Sequence, residues 1–127
     1  MAIEFDIITI TQKNIKDVDF NNIIMHVHFS ETIDMERSKE FHICFQTVIK
    51  GGMKKIVVDM SNLEYIDSSG ISILINTAKL LRSRGGDIAL LHVDEEISKI
   101  FKVINFERFI KMFQNYDEAV NFFRYVI

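Results

Sequence analysis

Apolar and polar residues alternate from Phe5 to Thr11, a period that predicts a strand. Asn22 to Phe29 alternates again, with Ile23, Met25, Val27 and Phe29 on one face and Ile24, His26 and His28 on the other. Between the two, Gln12 to Asn21 is polar and reads as a loop or wide turn. Met35 to Lys50 has helical spacing through Ser38, Phe41, Phe45 and Val48, with Asp34 or Thr32 as its cap. Lys55 to Met60 carries the unbroken run Ile56-Val57-Val58, which suits a parallel strand covered on both faces. A short connection, Ser61 to Ile66, leads to a helix over Ser69 to Arg84. Asp87 to Val93 repeats the buried-strand pattern. A helix over Glu95 to Ile104, a strand over Phe109 to Phe113 and a helix over Asp117 to Tyr125, capped by Asn115 or Asp117, complete the chain.

The order is a hairpin followed by strand–helix alternation. It predicts an α/β fold in a single domain, residues 1–127: one mixed sheet of four to five strands, partly parallel, with about four packed helices. The 127 residues contain no proline, so glycines mark the breaks, and Gly51-Gly52 and Gly85-Gly86 each stand between a helical and a strand pattern. Hydrophobic residues make up 48% of the chain, enough for a real core. A net charge of -3 leaves no basic footprint for nucleic acid. No apolar run approaches the length of a membrane span, so no membrane insertion is expected. The start of the chain carries Glu4 and Asp6 where a signal peptide carries bases, which makes the cytoplasm the default location. The single cysteine, Cys44, reads as buried filler in the first helix.

Chemistry concentrates in Tyr65-Ile66-Asp67-Ser68-Ser69-Gly70. A helix start offers unpaired N–H groups and about half a positive charge. A serine there carries a hydroxyl beside donors that favour an anion. A phosphate on it would add roughly −1.5 to −2 charge at a helix end that tolerates it, while confronting any docked partner with a bulky dianion. Asp or Ser before a helix is also an ordinary cap, and geometry does not choose between Ser68 and Ser69. Gly70 is odd under the capping reading, because glycine in a first helical turn weakens the helix; it suits a place where another backbone must come close. Along this helix Ile71, Leu74, Ile75, Ala78 and Leu81 share one side. Ile73 and Leu80 point elsewhere, among Asn76, Thr77 and Arg84, as a candidate docking patch beside Ser68.

Other constellations fall away. His26 and His28 share a strand face, but no cysteine or carboxylate has the spacing of a further ligand, so no metal or other cofactor is assigned. Ser68 lacks the Gly-x-Ser-x-Gly elbow of a hydrolase, and no phosphate-loop or dinucleotide fingerprint occurs. The chain therefore reads as a binding module, not an enzyme. The phenylalanines between Phe101 and Phe123 read as core.

Val57-Val58-Asp59-Met60-Ser61-Asn62-Leu63-Glu64-Tyr65-Ile66-Asp67-Ser68-Ser69-Gly70-Ile71 closely resembles the signature of the STAS domain, shared by bacterial anti-sigma factor antagonists and sulfate-transporter tails. The likeness continues through Arg84-Gly85-Gly86-Asp87, Leu90-Leu91-His92-Val93, Ile97 to Phe109 and Asp117-Glu118-Ala119. Upstream it includes Ser30-Glu31-Thr32-Ile33-Asp34. The resemblance implies an antagonist whose unphosphorylated form binds an anti-sigma factor that is also a serine kinase, and so frees a sigma factor. Phosphorylation ends that binding and a serine phosphatase restores it. It selects Ser68 as phosphoacceptor, Asp67, Ser69 and Gly70 as its loop, and Asp34 on the neighbouring loop of the same surface. Ser30, Ser72 and Asn105 depart from glycines usual in the family. Two other roles stay open: a constitutive STAS subunit of a lipid-transport ATPase or a stressosome scaffold, and a nucleotide sensor using the same helix mouth.

Overall fold

The computed structural model describes residues 3–9 and 23–124. Strand β1 (Ile3–Thr9) pairs antiparallel with β2 (Ile23–Ile33), Ile7 opposite Met25 and Ile3 opposite Phe29. From β2 onward the pairing is parallel, through β3 (Lys55–Ile66), β4 (Asp87–Leu91) and β5 (Lys111–Phe113). The described strands form one five-stranded sheet in the order β1-β2-β3-β4-β5. The predicted loop over Gln12 to Asn21 lies outside the described residues.

Three crossover helices link the parallel strands: α1 (Met35–Lys50), α2 (Ser68–Ser83) and α3 (Glu95–Val103). Crossovers of one hand that always advance in one direction leave their helices on one face. That face holds the main core, where Phe41, Phe45, Leu74, Ala78, Ile97 and Phe101 pack on Val27, Phe29, Val58 and Leu90. Helix α4 (Tyr116–Arg124) follows the last strand and covers the opposite face, where Ala119 and Phe123 join Ile24, Val57, Ala89 and Leu91. The two faces assigned to β2 are thus both observed. Asn115 caps α4, its side chain accepting the Glu118 N–H at 2.9 Å.

Several boundaries differ from the sequence reading. The stretch from Ser61 to Ile66 is strand, not connection. Its buried residues, Met60, Leu63 and Ile66, recur at every third position, a period that does not announce a strand. The cause is irregular pairing: His28 lies opposite Asp59 and Ile33 opposite Ile66, so five steps along β2 match seven along β3. Strand β4 stops at Leu91, where His92 takes a left-handed backbone (φ 55°). A 3-10 turn, Phe106–Arg108, precedes a shortened β5, and Asn105 before it is left-handed (φ 56°), a backbone conformation that glycine and asparagine adopt most readily. Cys44 is half-buried, not buried, because the inward stripe of α1 is Ser38, Phe41, Phe45 and Ile49. Phe101, Phe106 and Phe123 are core, whereas Phe109 is exposed.

Candidate functional site

Strands β2 and β3 end side by side, Ile33 opposite Ile66, and each runs directly into a helix. The Asp67 N–H donates to the Ile33 carbonyl at 3.1 Å, fastening the two exits together. Each exit ends in an aspartate cap. Asp34 Oδ1 accepts the Arg37 N–H at 2.9 Å, and Asp67 Oδ1 accepts the Gly70 N–H at 3.0 Å. Two helix N-termini therefore open at the C-terminal edge of the parallel strands, the edge where α/β sheets bind ligands. This brings Asp34 and Asp67 onto one surface, as expected from the resemblance.

The cap is Asp67 and not a serine. Ser68 is the first residue of α2, one position earlier than its predicted start, and its side chain is exposed. Ser69 is half-buried. Helix geometry gives the N–H groups of Ser68 and Ser69 no acceptor within α2. The first turn of α2 carries no acidic residue. An anion on Ser68 would sit beside these donors and the positive end of the helix.

Gly70 explains how α2 comes so close to the sheet. A Cβ there would lie 2.6 Å from Ile33 Cγ2 and 2.7 Å from Ile66 Cγ1. Its hydrogen replaces a methyl group that has no room, so the helix mouth is seated on the two strand ends. A close approach is found at Gly70, but it is made by the side chains of Ile33 and Ile66 and not by the second backbone that the sequence reading expected.

Ile73 and Leu80 are half-buried in the groove between α1 and α2, packed against the main core. Thr77, read as part of a polar side, is 4% exposed and faces the same groove. The side of α2 that carries them is partly covered by α1, with Asn76 and Arg84 still exposed. Ile73 lines a cavity of about 370 Å³ with Ser38, Lys39, His42, Ile43 and Asn76. Leu80 lies twelve residues beyond Ser68, about 18 Å along the helix at 1.5 Å per residue, so it is not beside the serine. The sequence assigns no contact role to Met35 or Tyr65, which are 66% and 54% exposed and stand next to the two caps.

A second cluster lies on the other face of the sheet. His26, His28 and Asp59 offer donor atoms within 4.8 Å of one another. The carboxylate that spacing along the chain did not supply comes from the neighbouring strand, since His28 and Asp59 are register partners. Asp59 Oδ2 lies 3.4 Å from His28 Nδ1, and Asp59 Oδ1 lies 3.4 Å from His92 Nδ1. Burial alone pushes the Asp59 carboxyl up, but the N–H and hydroxyl of Ser61 and the imidazoles of His92 and His28 outweigh it and hold the group below its ordinary value.

Comparison with known proteins agrees with the geometry. The STAS domain family profile matches residues 15–119. A Thermotoga maritima protein assigned by name to the anti-sigma factor antagonists is 29% identical over 76 residues, 60% of this chain and 67% of its own length. The crystal structure of a Thermotoga maritima protein given the same kind of name superposes with a TM-score of 0.75 at 25% identity, covering 86% of this chain and 92% of that one. The anti-sigma F factor antagonist of Paenibacillus polymyxa is 29% identical over 66 residues, 52% of this chain and 54% of its own. Among the described residues no helix is long and apolar enough to cross a membrane.

Proposed function

The chain belongs to the STAS domain family, and from that premise we propose that it is a cytoplasmic anti-sigma factor antagonist switched by phosphorylation of Ser68. In the unphosphorylated state the surface around Ser68 binds an anti-sigma factor that is also a serine kinase, and the sigma factor is released. Phosphate on Ser68 ends the binding, and a serine phosphatase resets the protein. The chain transfers no group itself; it is the substrate of both partners.

The observation that carries this reading is the division of labour at the helix mouth. Asp67 caps α2 through Gly70 N–H, which leaves the Ser68 hydroxyl exposed and without a capping task. A dianion at that place meets helix donors on the protein side and repels a partner on the solvent side. The fold persists while the surface changes sign. In this reading Asp34 and the exposed Met35 and Tyr65 beside the two caps belong to the contact surface, with Ile73 in the groove at its edge. The alternative of a constitutive subunit leaves Ser68 with capping as its only role, and that role belongs to Asp67.

The test is phosphosite mass spectrometry on the protein from its own cells, joined to pull-downs with wild type, Ser68→Ala and Ser68→Asp. A kinase-type partner retained by the alanine form and lost by the aspartate form supports the switch. One partner held equally by all three, with no phosphate on Ser68, replaces it with the constitutive reading.

A further inference from the structure

The sheet face under α4 is apolar at the start of β2 and β3 and changes character along them. On β2, Ile24 gives way to His26 and His28; on β3, Val57 gives way to Asp59. Two imidazoles and a carboxylate therefore converge where an apolar face would have continued. The site lies across the sheet from α2, so the switch does not account for it. We infer that His26, His28 and Asp59 form a binding site for a divalent transition ion of the zinc class.

The donor set selects the ion. Imidazole nitrogen favours zinc and its neighbours over magnesium or calcium, which require oxygen. Bonds of the usual length place the ligand atoms of a tetrahedral zinc about 3.4 Å apart. His28 Nδ1 and Asp59 Oδ2 are already 3.4 Å apart. His26 completes a trio of ligand atoms that lie within 4.8 Å of one another. Three protein ligands leave a fourth position for water.

The surroundings hold the carboxylate still. Its other oxygen, Oδ1, accepts the Ser61 N–H at 2.9 Å and faces His92 Nδ1 at 3.4 Å. Such outer contacts orient a ligand and typically govern affinity by about 10–100-fold. His92 reaches this position from a left-handed backbone, φ 55°, at the end of β4. The Tyr116 ring lies 5.6 Å from that of His26 and walls the inner side. The outer side is open: the side chains of His28 and His92 are 31% and 45% exposed, so an ion can enter.

Calorimetric titration of the full chain with Zn2+, in buffer freed of metal, tests the site. Saturation at one ion per chain is expected. His28→Gln and Asp59→Asn should each weaken binding about tenfold or more, and thermal stabilisation by Zn2+ should fall with them. His42→Ala, which removes a histidine on α1, should change nothing. Ser68→Asp should also leave zinc affinity intact, which separates this inference from the proposed switch. No saturable binding to the folded wild type, binding that survives both His28→Gln and Asp59→Asn in folded variants, or binding abolished by His42→Ala would each overturn it.

Discussion

Gly70→Ala tests the claim that α2 is seated on the strand ends. Two effects oppose each other. Alanine in place of glycine within a helix gains about 1 kcal/mol from propensity. Against it, the new methyl must enter space already held by Ile33 Cγ2 at 2.6 Å and Ile66 Cγ1 at 2.7 Å. Both isoleucines are β-branched and stiff, and they are 1% and 3% exposed, so neither can swing outward. Overpacking of this kind costs about 1–3 kcal/mol. Ile33 Cβ, at 3.1 Å, blocks relief even if Cγ2 turns away. The clash should win, leaving the variant less stable by about 1 kcal/mol. For a chain of this size that lowers Tm by about 3–5 °C. Urea unfolding should show a lower midpoint with an unchanged slope. In an Ile33→Ala background, where Cγ2 is gone, the same substitution should be less harmful, a coupling of the kind adjacent residues show. A Gly70→Ala protein as stable as wild type, or more so, would refute the seating and leave Gly70 without explanation.

The remaining predictions concern charge. Asp67→Ala removes the α2 cap and should lower stability by about 1 kcal/mol in urea unfolding, whereas Ser68→Ala should have no such effect. Ser68→Asp adds a negative charge at the helix start, worth about 0.3–1 kcal/mol in favour of the fold; a thermal melt should show Tm unchanged or raised while partner binding is lost, and an unfolded variant would contradict the switch. Asp59 sets an acid limit in metal-free protein. Its carboxyl is held below the ordinary value of 3.8, so its contribution is present above that value and disappears as pH falls through the folded value. Wild type should lose Tm below about pH 4 more steeply than Asp59→Asn, and parallel acid curves for the two would contradict the pairing.

The sequence announces elements whose residues follow one period. Ile23 to Phe29 alternates, and both its faces are found in the two cores. Ile56 to Val58 is an interior strand, and Asp34, one of two candidate caps, is the one used. What the sequence hides is set by neighbours. The stretch from Ser61 to Ile66 is a strand only because β2 pairs with it irregularly, and its three-residue burial rhythm resembles no regular element. Thr77 reads as polar surface until α1 lies over it. Asp59 stands far from His28 along the chain and meets it through a parallel register, which ligand spacing within one segment cannot reveal. Ser68 was legible as a helix mouth, whereas its freedom from capping follows from a hydrogen bond that Asp67 takes instead.

These features bear on how the proposed phosphate on Ser68 would act without unfolding the domain. A switch that worked by melting α2 would need a weakly held helix mouth. This mouth is fixed at several points: the Asp67 cap, the Asp67 N–H on the Ile33 carbonyl, and the Gly70 backbone against Ile33 and Ile66. None of these contacts uses the exposed Ser68 hydroxyl. Charge added at Ser68 therefore acts outward, on whatever rests against Asp34, Met35 and Tyr65, and the size of its effect should follow the partner's own charge at that contact. A partner variant that places a base against Ser68 should recover binding to Ser68→Asp, and one with a further acid there should lose binding to Ser68→Ala; competition pull-downs distinguish the two. If neither partner substitution changes the preference between the aspartate and alanine forms, the switch acts through shape at the helix mouth and not through charge.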